Sequence, residues 1–580
     1  MRLAGPYLDR IVSKSPLSAL KFIPGLSSQS EIWAMRCDVG IHATAQEIGI
    51  MTHAASRTTH RSSGARPVSR RSLKPGTRWP IFVTLLAQAV LSLTLLSRPL
   101  VLDESTYIDA GRAEIAHWLH SARTLPYARV FSGAPVIYPP LSSAMNSVGG
   151  LAASRLLSLC FMLAATALLY STARQLFGPW VSIIAASVFA TTSAAQYLGV
   201  LATFDALALM LLAAAAWFAV RSGETAGQRR LLLLATMCGL LAAANAAKYA
   251  SALWDPVVIA MAVLADVRHC NWGRRLATGA ACAAGVLGLL AIAALIAGPS
   301  YWHGILFSTA DRTADNGIQV FAILISAARW VGLVAVLAVL GAVALTRSPR
   351  DPSLKAMGWL LAAAVFLAPA EQARIGVAIS LFKHVGFGAW FAAIPAGYGI
   401  SAAVSMLAAR RASFSLWAKV SSGIVVTVAL AMVVVGTYEA QETNSVQPAY
   451  PVAVIARLKP ILHTSTGPLL ADTPNPIIYY THTSPFRWQS TYDFSYKDPV
   501  IGRRLDGIPA YVDAIQHHYF SIVILRANRE NKPVDQAVLT SLRHNRTYHL
   551  TILRASTGSP GKRRTSRDVL VWYYMPTPTG

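Results

Sequence analysis

Long apolar runs separated by short basic connections recur from Trp79 to Tyr438, and this pattern constrains the fold more than any other feature of the sequence. A helix that crosses a bilayer needs about 20 apolar residues. Only 13% of the 580 residues are charged, whereas soluble domains average about 25%. The chain is therefore predicted to be a polytopic α-helical membrane protein, which excludes an ordinary soluble enzyme and a disordered protein.

The apolar runs predict about eleven membrane spans. We place them at residues 79–101, 149–172, 178–197, 203–220, 230–249, 251–267, 276–298, 319–346, 356–371, 385–408 and 419–438. Thirteen Lys and Arg residues fall in five short connections on one side, whereas the short connections on the other side carry only Lys248, Arg312, Arg374 and Lys383. Since positive residues favour the cytoplasmic side, the N-terminus is expected to be cytoplasmic. An odd number of spans then places the C-terminal segment on the outer side of the plasma membrane, and an error of one span would reverse this placement.

Residues 1–78 are predicted to form a basic, disordered cytoplasmic arm. Residues 52–78 contain seven Lys or Arg and no acid, a composition typical of disorder. Met51 is an alternative start to Met1. The net charge of +25 is spread over the whole chain, so we expect no nucleic-acid partner. The five cysteines include no CxxC pair, which argues against a disulfide framework and a structural zinc site.

Two segments outside the spans are long enough to form structure of their own. In the first outer loop, 102–148, the apolar spacing of 104–123 predicts an amphipathic helix on the membrane surface, and YPPL at 138–141 predicts an extended turn. The C-terminal segment, 439–580, is predicted to be an extracytoplasmic α/β domain. Its expected strands are 476–480, 521–526, 548–554 and 569–574, and its expected helices are 507–519 and 534–545.

Charged residues gather at the predicted outer face. They are Asp103, Glu104, Asp205, Lys248, Arg374, Lys383 and His384. An acid at membrane depth is a functional candidate, although Asp205 also suits a helix N-cap and the lysines also suit snorkelling to the surface. Carboxylates beside cations favour a reaction in which a carboxylate activates a neutral acceptor and the cations stabilise a leaving phosphate.

The order of these residues resembles the GT-C superfamily of membrane glycosyltransferases, which includes the protein O-mannosyltransferases and the lipid A aminoarabinose transferase. An acidic pair after the first span, here Asp103–Glu104, is followed by a tyrosine–proline element, here Tyr138–Leu141. Asp205 opens the fourth span, Lys248 closes the fifth, and Lys383–His384 is a basic pair that enters a late span. The resemblance covers about 79–440. The chain has no WWDYG-like motif, which argues against the oligosaccharyltransferase branch.

The resemblance implies a sugar donor carried on a polyprenyl phosphate and an acceptor that is a cell-envelope glycan, a lipid or a protein. Asp103 would be the general base, and Glu104 and Asp205 would position the acceptor or hold a divalent cation. Lys248 and Lys383 would bind the lipid phosphate, and a single displacement would invert the anomeric carbon.

By the same resemblance, Tyr138 and His384 would also bind substrate. Arg374 lies in the loop before Lys383–His384 and is a further candidate for binding substrate. A secondary transporter or lipid flippase is the alternative function, and it would place charges near the bilayer midplane. A third alternative is a membrane scaffold that presents the domain at 439–580.

Overall fold

The structure is a computed structural model, and the residues that it describes are 79–266, 271–312, 320–378, 380–409, 431–432, 434–441, 450–492, 494–527, 533–553 and 569–575. The expected arm, 1–78, lies outside the described residues. Most of the eleventh expected span, 419–438, also lies outside them.

Within the described residues, the membrane part is built from α-helices joined by short connections. Its helices are α1 (Trp79–Leu93), α2 (Leu102–His120), α3 (Tyr138–Phe177), α4 (Pro179–Ala190), α5 (Ser193–Leu198), α6 (Asp205–Gly223), α7 (Gly227–Ala247), α8 (Asp255–Ala265), α9 (Trp272–Ala297), α10 (Pro299–Ser308), α11 (Val320–Thr346), α12 (Pro352–Ala363), α13 (Leu367–Ile375) and α14 (Leu381–Ala409). Within the described residues, seven helical stretches are long and apolar enough to cross a membrane, and three shorter apolar stretches occupy Trp79–Leu93, Pro179–Ala190 and Tyr249–Ala265. These ten stretches coincide with the first ten expected spans, which confirms a multi-pass membrane protein.

The tyrosine–proline element corrects one expectation. YPPL at 138–141 is not an extended turn, because Tyr138 begins α3 and the two prolines occupy its first turn. The first-turn N–H groups of a helix have no intrahelical acceptor, so proline costs little there. The helix then bends at Gly149 and Gly150, and Gly150 has a φ of 63°, a conformation that glycine adopts without strain.

The expected helix of the first outer loop is present as α2, but the residues that it buries are only partly those that the apolar spacing predicts. Ile108 is fully buried, while Trp118 and Leu119 are exposed. The polar Glu104 and Asp109 are buried in the same helix. Burial in α2 therefore follows its contacts with other elements, chiefly α3.

The C-terminal part contains α15 (Val452–Thr464), β1 (Leu469–Ala471), α16 (Pro474–Thr481), β2 (Trp488–Ser490), β3 (Ser495–Lys497), β4 (Arg504–Asp506), α17 (Ile508–Gln516), β5 (Ile522–Arg526), α18 (Pro533–His544), β6 (Tyr548–Leu553) and β7 (Val569–Tyr574). The main sheet has the order β2-β1-β5-β7-β6. β1 is parallel to β2 and β5, and β7 is antiparallel to β5 and β6. The expected strands at 521–526, 548–554 and 569–574 and both expected helices are confirmed.

The expected strand at 476–480 is wrong, since this segment belongs to α16. Pro474 lies at the start of that helix, where proline is tolerated, and Ile477 and Ile478 are buried under the sheet. A short apolar run has no periodicity that separates a strand from a buried helix.

The C-terminal domain contacts the membrane part through α16 and the turn that follows it. The Tyr479 hydroxyl donates to Asn146 Oδ1 at 2.8 Å, and the Arg123 guanidinium lies 5.0 Å from the centre of the Phe486 ring. These contacts place the sheet domain against the first turns of α3 and against the end of α2, the helix whose first turn carries Asp103 and Glu104.

Candidate active site

The site is built around the beginning of α2. Val101 is extended, and Asp103 and Glu104 occupy the first turn of the helix that follows. The unpaired N–H groups at a helix N-terminus favour negative side chains. The Val101 N–H donates to Glu104 Oε2 at 3.2 Å, which fixes where the helix starts and therefore where Asp103 lies.

Asp103 forms an ion pair with Lys383, a residue 280 positions away in the chain. Lys383 is nearly buried, with 6% of its side chain exposed, whereas 40% of the Asp103 side chain is exposed. Asp103 is thus both oriented by a cation and open to an incoming molecule.

Asp205 forms a second ion pair, with Lys248. The Lys248 Nζ lies 2.7 Å from Asp205 Oδ1, and both side chains are buried. Thr203 Oγ1 donates to the other carboxylate oxygen at 2.8 Å. Lys383 and His384 also interact electrostatically with Asp205, so the two ion pairs belong to one site.

Glu104 points away from Asp103 and into the protein, where it is fully buried. Arg155 binds it with two hydrogen bonds, at 2.9 and 2.7 Å, and Arg98 approaches to 3.4 Å. Burial raises the pKa of Glu104, but the Arg155 hydrogen bonds and the charges of both arginines outweigh burial and lower it. The Ala202 N–H also donates to Glu104, at 3.0 Å, which ties α2 to the segment before Asp205.

Arg155 uses all five of its N–H donors in this cluster. Besides the two bonds to Glu104, it donates to the carbonyl oxygens of Leu96, Arg98 and Pro99 at 2.7, 2.7 and 3.1 Å. A guanidinium has five donors in a fixed fork, so Arg155 shapes the whole connection from α1 to α2. Sequence reasoning missed this residue because nothing local marks an arginine in α3 as the partner of Glu104.

Tyr107 is a further residue that sequence reasoning missed. It lies one helical turn after Asp103, and its ring is 4.4 Å from that of Phe204, the residue before Asp205. The Lys248 Nζ lies 4.9 Å from the same Phe204 ring. Burial and the charges of Asp103 and Asp205 raise the pKa of Tyr107 well above its usual value, so its hydroxyl keeps its proton. The i, i+4 spacing from Asp103 is the one sequence signal that points to it.

Tyr138 and Arg374 occupy different surroundings. Tyr138 is fully buried, and its hydroxyl lies 3.0 Å from Ser158 Oγ. Arg374 is 67% exposed and forms two hydrogen bonds with Glu371, at 2.8 and 2.7 Å. Arg374 therefore pairs with Glu371 and not with the carboxylates of the two carboxylate–lysine pairs, whereas Tyr138 borders those pairs through Tyr107.

The three acids of the site do not suit a divalent cation, because each already has a protein cation beside it. Lys383 is paired with Asp103, Lys248 with Asp205, and Arg155 with Glu104. In the described part of the chain, the one group of three potential metal ligands is Asp498, Asp513 and His517 in the C-terminal domain. With Arg98, four cations face three carboxylates, and the excess positive charge suits a phosphate.

Solved structures share this fold. Over 86% of this chain and 74% of the other, it is similar to the archaeal oligosaccharyltransferase AglB from Archaeoglobus fulgidus, solved with an inhibitory peptide and a dolichol-phosphate, at 12% identity and a TM-score of 0.55. Over 86% of this chain and 98% of the other, it is similar to ArnT from Cupriavidus metallidurans bound to undecaprenyl phosphate, at 13% identity and a TM-score of 0.54. The chain has the GT-C fold.

The family model for dolichyl-phosphate-mannose-protein mannosyltransferases matches residues 141–302. On the GT-C fold of this chain, that segment carries Arg155, Asp205 and Lys248 but neither Asp103 nor Lys383. No curated protein matches the sequence significantly. The GT-C fold is common to AglB and ArnT, so the expectation drawn from the missing WWDYG-like motif stays a prediction.

Proposed function

We propose that the chain transfers a sugar from a polyprenyl-phosphate donor to an acceptor at the outer face of the plasma membrane. The observation that carries the proposal is the pair of carboxylate–lysine contacts, Asp103–Lys383 and Asp205–Lys248, in one site. AglB and ArnT, which share the fold, were solved with dolichol-phosphate and undecaprenyl phosphate. A polyprenyl phosphate also suits a site with an excess of cations.

In the proposed reaction, Asp103 is the general base because it is the carboxylate that an acceptor can reach. It takes the proton from an acceptor hydroxyl or amine as that group attacks the anomeric carbon. The bond between the anomeric carbon and the phosphate oxygen breaks, and its electron pair stays on the phosphate. Lys383 and Lys248 stabilise the charge that develops there, and the configuration at the anomeric carbon inverts.

Glu104 and Asp205 have supporting roles in this proposal. Glu104 and Arg155 together position the first turn of α2, and Asp205 holds Lys248 in place for the phosphate. Tyr138 supports Tyr107 beside the reacting groups, and we assign Arg374 to the outer surface near the entrance. The lysines supply the positive charge for which a divalent cation would otherwise be required.

The proposed orientation follows from the same residues. Lys248, Lys383 and Asp205 all lie at helix ends, as expected for groups at one membrane face. A transporter or flippase places such groups near the bilayer midplane. We therefore place the site and the domain at 439–580 outside, and residues 1–78 in the cytoplasm.

An incorporation assay tests the function. Membranes that contain the chain are incubated with a panel of radiolabelled polyprenyl-phosphate sugars, beside membranes that contain Asp103→Asn at equal protein level. We expect label to enter a non-donor product only with the unsubstituted chain. Translocation of the lipid without any new glycosidic product would support the flippase instead.

Reporter fusions test the orientation separately. A reporter that is active only outside the cytoplasm is expected to be active at residue 445 and silent at residues 225 and 350. Activity at 350 with silence at 445 would overturn the proposed orientation.

A further inference from the structure

Gln372 makes a buried contact with His384 that the proposed reaction has not used. Gln372 lies in α13 and is 3% exposed, and His384 lies in the first turn of α14 and is 8% exposed. The Gln372 side-chain nitrogen lies 2.9 Å from His384 Nδ1. Sequence reasoning treated His384 as the second cation of a basic pair and gave Gln372 no role.

The contact determines which ring nitrogen carries the proton. An amide N–H donates, so Nδ1 accepts and carries no proton. In a neutral imidazole the proton then lies on Nε2, which is left as a donor. The opposite amide orientation would turn the Gln372 carbonyl oxygen toward Nδ1 and leave the buried NH₂ group without an acceptor. That arrangement is costlier, because two N–H donors instead of one carbonyl oxygen would then have no partner.

The charges around His384 also favour a neutral ring. Its electrostatic neighbours are Lys248, Lys383, Arg312 and Asp205, three cations and one carboxylate. An imidazolium would place another positive charge among the cations, and it would need a second acceptor at Nδ1, where Gln372 presents a donor.

We infer that Gln372 is a positioning residue that holds His384 as a neutral Nε2–H donor to the phosphate of the lipid donor. The inference rests on the proposed function and refines the role of His384. Lys248 and Lys383 attract the phosphate by their charge, whereas the fixed Nε2–H of His384 orients it by a directional hydrogen bond. This hydrogen bond strengthens as negative charge builds on the leaving phosphate oxygen.

Binding of undecaprenyl phosphate to the purified full-length chain in detergent tests the inference. Because a hydrogen bond to a charged group is worth about a tenfold change in Kd, His384→Ala is expected to weaken binding about tenfold. Gln372→Leu is expected to weaken it about fivefold or more, since the ring loses its fixed tautomer. The variant with both changes is expected to bind no more weakly than His384→Ala alone.

The matched control is Gln88→Leu. Gln88 is a buried glutamine in α1 that accepts a hydrogen bond from Thr166 at 2.7 Å, so its loss removes similar polar packing. Its Kd is expected to match that of the unsubstituted chain. Unchanged binding by Gln372→Leu, or fully additive losses in the double variant, would overturn the inference.

The pH dependence separates the neutral donor from a cation. The ligand phosphate itself titrates, so the informative quantity is the Kd of His384→Ala divided by the Kd of the unsubstituted chain. We expect this ratio to stay constant from about pH 5.5 to 8, the range in which an unperturbed histidine changes charge. A ratio that grows as the pH falls would show binding by an imidazolium and would overturn the inference.

Gln372→Glu is expected to reverse the tautomer of the neutral His384 ring. A carboxylate at 372 accepts from Nδ1–H, so the neutral ring loses its Nε2–H donor and regains it only when protonated. Its binding is expected to be weak near pH 8 and to recover as the pH falls. Failure of the unsubstituted chain to bind undecaprenyl phosphate would instead count against the proposed function, which keeps the two failures distinguishable.

Discussion

The two carboxylate–lysine pairs of the site have the same chemistry but different surroundings. Asp103 is 40% exposed beside its lysine, whereas Asp205 and Lys248 are both buried and Asp205 also accepts from Thr203. An exposed carboxylate can receive a proton from an incoming acceptor, whereas a buried one that is paired with a buried lysine is closed to that acceptor. The comparison teaches that exposure, rather than residue type, divides the roles of base and scaffold within the site.

The buried pair is expected to respond most strongly when it is broken. Asp205→Asn keeps the side-chain volume but leaves the Lys248 ammonium buried without a counter-charge. Breaking a buried pair from one side costs about 3–5 kcal/mol. We expect a clear fall in the unfolding temperature in detergent, and lower sugar transfer as a consequence.

Two further variants make that experiment specific. Asp205→Asn combined with Lys248→Met is expected to recover much of the lost stability, because no charge is then left unpaired. Arg221→Ala breaks the exposed pair with Glu224 and is expected to cost at most about 1 kcal/mol. A single Asp205→Asn variant as stable as the parent would refute the scaffold role.

Asp103→Asn is expected to have the opposite effect, with a small change in stability and a large loss of sugar transfer. Its side chain is 40% exposed, and Asp205 still balances the charge of the nearly buried Lys383, so stability is expected to fall by no more than about 1 kcal/mol. A general base contributes about 10²–10⁴-fold in rate, so sugar transfer is expected to fall by at least about 100-fold at unchanged membrane levels. Asp311→Asn, at an exposed aspartate in another connection, is the control. Near-normal turnover by Asp103→Asn would remove Asp103 as the base.

The two pairs also show which features of the site the sequence can predict and which it cannot. Ten helical stretches among the described residues follow directly from apolar runs, because a span must satisfy its backbone polar groups within a helix. The four charged residues of the two pairs were found from their positions at helix ends and from the GT-C resemblance. Their pairing, across 43 positions in one case and 280 in the other, is a property of helix packing that no local pattern records.

The residues that sequence reasoning missed have a shared reason. Arg155 pairs with Glu104 far along the chain, Tyr107 lies one helical turn from Asp103, and Gln372 contacts His384 on the next helix. Each of these residue types is common in ordinary helices. The strand predicted at 476–480 is wrong for a different reason, since its apolar run suits a buried helix as well as a strand. Tertiary contacts decide both cases.

Asp109 sharpens the comparison with a third carboxylate. It is buried like Asp205, but its partner Arg112 is 43% exposed and its Oδ2 has no hydrogen-bond partner among the described residues. Burial outweighs the Arg112 charge and raises the pKa of Asp109 to about 7. Between its unfolded pKa of about 4 and this value, the folded state binds more protons than the unfolded state, so stability falls as the pH rises.

Asp109→Asn is expected to remove that pH dependence. A shift of about three pH units corresponds to at most about 4 kcal/mol, lost progressively between about pH 4 and 7. We expect the unfolding temperature of the parent to fall from pH 5 to pH 8 and that of Asp109→Asn to fall less. Asp506→Asn, at a 75% exposed aspartate, is the control and is expected to follow the parent. Identical pH profiles for the parent and Asp109→Asn would contradict a raised pKa.

The smallest expected effect is that of metal removal. Oxygen ligands bind divalent cations when their negative charge is available, but Lys383, Lys248 and Arg155 already neutralise the three acids of the site. If the lysines provide the positive charge for the leaving phosphate, sugar transfer by membranes washed with EDTA is expected to stay within about twofold of the untreated level, which corresponds to less than about 0.5 kcal/mol. Added Mg²⁺ or Mn²⁺ is expected to change the rate equally little. A large loss on EDTA treatment that either cation restores would show that a metal displaces a lysine from at least one acid, and the Asp103–Lys383 pair, whose carboxylate is exposed, is where that exchange would occur.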